Sequence, residues 1–473
     1  MRPASGPWRP AWTASWAVVW AALMAMGQLQ GSPDSPLDTF GDPVRLGARW
    51  IDREREHGLA PEEAPHPDQD AAWLVAEEVA AYAEARLHPA AAREAAIRRA
   101  LLMAEDGDWQ GAMAVAPDDA SRVLIRRLYA PGEAAPHSGP GPETADPDAV
   151  AAARADWARA LAIEPRGWLS RRVGRRLAGE GSPTALEPGD PHSPGDPGAG
   201  RRTLRLLEHA PRIALALGAL AWLLSRRVRD AFGRRPGRDS STPVPPPPSL
   251  EMALGVWVRG DVCIQAAWLA ASQEPWGAWV GAETGAQLSQ AAYWLAALPL
   301  LWMAQRHCWR PLREAHPLSL PRNGLGAAVG LAAVALGVDV LASEAVMNAA
   351  WGWGLESHWS EGLDETLLFG GPLARLERAA DYLVWTPLVE EAGFRGVLYL
   401  GLRRRLAVGP AAAVSAAAFA LLHFYSLPGL LATLVSGLVW AICFERTGSL
   451  WPSIVAHCGY NALWIAGLWA ALG

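Results

Sequence analysis

Two adjacent carboxylates stand inside an apolar stretch, Thr386-Pro387-Leu388-Val389-Glu390-Glu391-Ala392-Gly393-Phe394-Arg395-Gly396. Two later apolar segments each carry a histidine, His423 and His457. An ionised side chain at the centre of a bilayer costs roughly 2.5–3.5 kcal/mol on insertion scales. A chain that keeps two carboxylates, a guanidinium and two imidazoles in such segments has a use for them. On a helix Glu391 and Arg395 lie four apart on one face and can pair. Glu390 lies about 100° further around. It is left to face a cavity, where a carboxylate can act as a general base. The bland alternative is a charge network that locks helices together. Phe419 and His423 share a helical face, and so do His457 and Asn461. The last two could donate hydrogen bonds to a developing oxyanion. Alternatively they are polar glue between helices, and His423 is a histidine near a helix end satisfied by a backbone carbonyl.

Taken in order, Glu390-Glu391-Ala392-Gly393-Phe394-Arg395, Phe419-Ala420-Leu421-Leu422-His423 and His457-Cys458-Gly459-Tyr460-Asn461 match EExxxR, FxxxH and HxxxN/D. In this the chain resembles the CPBP family of intramembrane proteases, the CAAX protease and bacteriocin-processing (Abi) enzymes, also called CAAX prenyl protease 2-like. The resemblance covers about the last third of the sequence. It implies that Glu390 activates the attacking water, assisted by His423. It implies that His457 and Asn461 stabilise the oxyanion, and that Glu391 and Arg395 support them. The family is labelled metalloprotease. Glu390, His423 and His457 would be the ligands of a divalent metal such as zinc, whose usual donors include these groups. A metal-free, glutamate-activated water is equally compatible, and no HExxH forces the metal reading.

The elements that must position these residues follow from a division within the 473-residue chain. Its first half is polar and rich in Pro and Ala; its second half is strongly apolar. All 42 basic residues are arginine, a bias that suits a GC-rich bacterial genome. The net charge of −6 and the lack of a basic tract argue against nucleic acid as a partner. Cys263, Cys308, Cys443 and Cys458 all fall in or beside apolar segments, as small core residues do rather than a disulfide framework.

Residues 1–30 read as a signal peptide or an uncleaved signal anchor, with Trp12, Trp16 and Trp20 suited to a membrane helix. Residues 31–203 read as a mainly helical polar domain. Trp73, Ala76, Val79, Ala80 and Ala83 make its thin apolar stripe, and Pro/Gly/Asp-rich breaks at 131–146 and 181–200 read as disordered. Residues 204–248 hold a short apolar run and an Arg/Pro-rich linker, residues 249–323 further apolar helices, and residues 324–473 the protease-like core. Apolar runs fall at 11–27, 210–225, 251–272, 288–305, 324–347, 376–401, 408–425, 429–444 and 449–471. That is nine spans, or eight if the first is cleaved. Arginines crowd alternate loops, and the loops 273–284 and 350–372 carry acids without arginine up to residue 372, so the positive-inside rule orients the bundle. The expected fold is therefore all-α: a polytopic transmembrane helical bundle in a bacterial inner membrane, with residues 31–203 forming an extracytoplasmic (periplasmic) helical domain. The expected function is an endopeptidase acting on a membrane-associated protein or peptide. Rival readings are a non-catalytic scaffold or immunity protein of the same fold, and a transporter with intramembrane charges. Nothing suggests the inverted repeats of the last.

Overall fold

The computed structural model describes residues 13–22, 35–57, 71–130, 146–179, 197–224, 248–272, 291–292, 294–310, 316–320, 324–423 and 425–472. Among these, every regular element is a helix. Of the expected breaks at 131–146 and 181–200, residues 131–145 and 181–196 lie outside the described residues, whereas Asp146 caps a helix and residues 197–200 open one, Pro197–Leu224, against the expected disorder; residues 242–247 of the Pro-rich linker and the acidic loop 273–284 also lie outside the described residues. The chain divides into two compact units, one of residues 1–32 and 205–467, the other of residues 33–204 and 468–473.

The second unit is built on helices Pro43–His57, Ala71–Arg86, Pro89–Glu105, Trp109–Val115, Asp119–Tyr129, Pro147–Ala162 and Trp168–Gly179. Their starts carry local signals. Asp108 and Asp118 accept from the N–H groups of Gly111 and Ser121, and proline opens three of the helices. Ile97, Leu101, Leu124, Trp157, Leu161 and Val173 form the core. The Ala71–Arg86 helix buries Ala72 and Val75 besides Ala76, Val79, Ala80 and Ala83. Trp73 differs from expectation: it sits at the edge, where its indole N–H can reach Asp106 at 2.7 Å. Charges inside this unit are paired. Arg98 donates to Asp52 at 3.0 Å and to the Ala160 carbonyl at 3.2 Å. Burial pushes the Asp52 carboxyl up, against the pull of Arg98 and of the Leu169 N–H. Burial would also raise Glu105, but hydrogen bonds from Arg176, Tyr129 and Arg172 prevail and hold it below the usual carboxylate range. These are ties between helices.

Among the described residues three helices are long and apolar enough to cross a membrane: Leu325–Gly352, Leu427–Thr447 and Trp451–Leu472, which lie wholly or mostly in the first unit. Shorter apolar helices are Thr13–Ala22 and Val408–Leu421. The run expected at 210–225 belongs to a longer helix, Pro197–Leu224, and that at 251–272 to Leu250–Ser272. The run expected at 288–305 is described as Leu298–Met303, continued by a π-helical stretch Ala304–Trp309. The first motif lies on a helical rod, 372–402, that changes coil twice, with π-helical stretches at Asp381–Trp385 and Glu391–Tyr399. Such i→i+5 stretches recur at functional sites. Small residues let the helices close up. A Cβ on Gly337 would lie 2.8 Å from the Pro211 carbonyl oxygen, and one on Gly437 would lie 2.8 Å from the Ala416 Cβ. Helix contacts through small residues are the normal solution where lipid gives no hydrophobic drive. The Thr13–Ala22 helix is also docked. Trp20 donates to Asp261 at 2.6 Å and packs 5.7 Å from the Trp257 ring, and the Arg259 guanidinium lies 5.6 Å over Trp16.

Candidate active site

Glu390 ends an α-helical turn, Thr386–Glu390, and Glu391 begins the wider π coil. Glu391 and Arg395 are fully buried. As expected from their spacing they pair: Arg395 Nη1 donates to Glu391 Oε1 at 2.9 Å. Arg395 Nη2 donates to the Gly437 carbonyl at 3.1 Å, across to the Leu427–Thr447 helix. The guanidinium lies 4.6 Å over the Phe419 ring and 5.2 Å over Trp440. One cation thus ties two helices to the first motif.

His457 sits between the two glutamates. Its Nδ1 lies 3.3 Å from Glu391 Oε1, and its Nε2 lies 3.7 Å from Glu390 Oε2. The two nitrogens of one imidazole point in different directions, so a single ring addresses side chains that diverge from neighbouring positions. The ring is stacked on Trp440 at 3.9 Å with 22° between planes. Glu390 Oε2 and Glu391 Oε2 are buried without a hydrogen-bond partner. At 3.7 Å, Glu390 and His457 do not bond each other. They are spaced so that one oxygen can contact both, the arrangement sought between a base and its reactant.

The Val408–Leu421 helix stops two residues short of His423, where the apolar pattern predicts a run to 425. His423 follows in the turn. Its Nδ1 lies 2.8 Å from the Phe419 carbonyl. That contact satisfies the imidazole as the bland reading expects, and it also fixes the tautomer: with Nδ1–H donating, Nε2 carries the lone pair. The Phe419 ring is the common neighbour, 4.6 Å from the His423 ring and 6.2 Å from that of His457. It therefore links the second and third motifs physically.

Asn461 shares a face with His457, one turn further along Trp451–Leu472. Its amide does not point free into the site. Nδ2 donates to the Tyr382 carbonyl at 2.7 Å, within the first π stretch of the rod. The structure thus brings Glu390, Glu391, Arg395 and His457 together and joins His423 to them through Phe419. Asn461 is engaged one turn away. Trp440 was not among the expected residues: one tryptophan among 25 has no spacing to mark it. Replacing Asn461 with Ala is expected to leave the Tyr382 carbonyl orphaned and to cost about 1–3 kcal/mol. Denaturant unfolding of the purified chain checks this, and a Tm and midpoint equal to wild type would show the contact to be dispensable.

The donor set does not fit a metal. Among the described residues no three His, Cys, Asp or Glu side chains are grouped so as to hold an ion.

Residues 376–463 match a family model described as type II CAAX prenyl endopeptidase Rce1-like. Over this segment the chain is similar to the CAAX protease family. The Rce1-like segment contains all seven motif residues, from Glu390 to Asn461, while residues 1–375 lie outside the match. No curated protein and no solved structure matches the chain. The family is one of peptidases, and with its long apolar helices the chain is a membrane protein.

Proposed function

We propose that the chain is an intramembrane endopeptidase that hydrolyses a peptide bond in or near a membrane-associated protein. The observation that carries this is the division of labour between two adjacent carboxylates. Glu391 is neutralised by Arg395. Glu390 keeps an unpartnered oxygen 3.7 Å from an imidazole nitrogen. In the reaction a water held between Glu390 and His457 attacks the scissile carbonyl carbon. Glu390 takes one water proton as the C–O bond forms. The oxyanion is held from the third motif. As the C–N bond breaks, Glu390 returns the proton to the leaving amine. His457 is oriented by Glu391 on one side and Trp440 on its face. His423 presents Nε2 as its free nitrogen and assists. Asn461 would serve the oxyanion with the amide hydrogen not taken by Tyr382.

The test is a comparison of the termini of all membrane proteins in cells with the wild-type chain and in cells with Glu390→Gln. New termini that depend on Glu390 support a peptidase; identical termini point to the scaffold reading.

The site would work in a bacterial inner membrane with residues 31–203 on the periplasmic side. Arginine-rich loops alternate with acidic ones in support of this orientation. The contacts of Trp16 and Trp20 support retention of the first helix as an anchor. A reporter that works only after export, fused near residue 140, is expected to be active; cytoplasmic activity would overturn the topology.

A further inference from the structure

A third buried carboxylate stands near this site, on a helix that carries none of the motifs and precedes the family match. Asp339 lies in the middle of Leu325–Gly352 and is fully buried. Its Oδ1 accepts from Ser436 Oγ at 2.7 Å and from Ser343 Oγ at 3.3 Å. Its Oδ2 is buried without a partner.

Ser436 connects Asp339 to the site. The next residue, Gly437, supplies the carbonyl that takes Arg395 Nη2. One turn on, Trp440 stacks against His457. The height of the Leu427–Thr447 helix therefore sets both the clamp on Arg395 and the face of His457. Gly437 against Ala416 lets that helix approach closely. Close approach through small residues holds separation but resists sliding poorly, since small residues offer no interlocking side chains. A short hydrogen bond to a carboxylate is directional and stronger than a neutral one.

The arrangement is not needed to satisfy the serines. The Ala432 carbonyl lies 3.3 Å from both Ser436 Oγ and Ser343 Oγ, so either hydroxyl has an acceptor without Asp339. A carboxylate placed here solely for stability would be a poor choice, because burying a charge is costly and an apolar side chain of similar size is often as stable or more so.

We infer that Asp339 is a positioning residue for the hydrolytic site. Through Ser436 it fixes the register of the Leu427–Thr447 helix, and so places the Gly437 carbonyl under Arg395 and the Trp440 indole on His457. This rests on the peptidase reading.

The test uses the purified full-length chain in lipid vesicles with membrane proteins from cells lacking it. The readouts are the rate at which new termini form, by mass spectrometry, and the Tm of each variant. Glu390→Gln is the control. If it cleaves like wild type, the peptidase reading itself fails. With that control inactive, Asp339→Leu and Ser436→Ala are each expected to slow cleavage about tenfold or more, with Tm equal to or above wild type. Asp339→Asn, which keeps an oxygen for Ser436, is expected to stay within about threefold. The Asp339→Leu/Ser436→Ala double variant should be no slower than the slower single, since both break one link. Wild-type rates in Asp339→Leu and Ser436→Ala would overturn the inference alone. So would a parallel fall of Tm and rate in Ser436→Ala, the mildest change, or an Asp339→Asn as slow as Asp339→Leu.

Discussion

Glu390→Gln is expected to reduce cleavage by about 10²–10⁴-fold, the usual contribution of a general base, and by more if Glu390 also holds the water. Glutamine has the size of glutamate and can still lie beside His457. It cannot take a proton from water. Because the ion-pair partner of Glu390 among the described residues is His457, at 3.7 Å, the variant should fold as well as the parent. Glu391→Gln should behave differently. Glu391 Oε1 receives Arg395 at 2.9 Å and faces His457 Nδ1 at 3.3 Å. Its loss weakens a buried pair first and disorients the imidazole second. Stability or expression should fall before rate. The check is the rate of formation of an identified terminus in membranes, normalised to folded protein. Equal residual rates in the two variants would mean that the carboxylates share the role. Full activity in Glu390→Gln would remove the mechanism.

The contrast between these two neighbours was legible in the sequence, because an i, i+4 spacing of opposite charges survives the change from an α to a π coil. The coil change itself was not. Periodicity reports which residues are apolar, and the rod has apolar residues on every side where it is buried, so nothing distinguishes i→i+4 from i→i+5 bonding. The long helices Leu325–Gly352, Leu427–Thr447 and Trp451–Leu472 were legible for the opposite reason: predominantly apolar runs of that length have few alternatives. The early end of Val408–Leu421 was missed because Leu422 continues the apolar pattern. The punctuation lies further on, at Ser426 and Pro428, where the next helix starts.

Contacts to backbone left no trace in residue types. Asn461 was expected at an oxyanion and is found on the Tyr382 carbonyl, and every residue has a carbonyl. Contacts between distant side chains were partly legible. That His457 belongs with Glu390 followed from the cost of polar groups in apolar helices. That it also touches Glu391 did not, since the geometry depends on how the Trp451–Leu472 helix is rotated. Trp440 and Phe419 set that rotation by packing on the ring.

Arg395 carries the largest stability effect. It is the cation for a fully buried carboxylate, and its fork reaches Glu391 and the Gly437 carbonyl at once. Arg395→Leu leaves Glu391 buried without its partner, a change that costs about 3–5 kcal/mol. Whole domains are stable by only about 5–15 kcal/mol. A large share of the stability should therefore be lost, seen as a clear fall in Tm, along with all activity. Arg395→Lys should rescue little, because an ammonium cannot serve two acceptors with a planar fork. Removing both charges is the informative case. In Glu391→Leu/Arg395→Leu no uncompensated charge remains, and a buried pair replaced by apolar side chains is often neutral in stability. The double variant should regain at least half of the Tm lost in Arg395→Leu, while His457, without its Nδ1 acceptor, leaves it inactive. Thermal unfolding of the purified variants reads the first quantity and terminus formation the second. An Arg395→Leu chain as stable as wild type would show that Glu391 is not held as a charge. A double variant no better than the single would show that Arg395 acts through Gly437 and the aromatic faces instead.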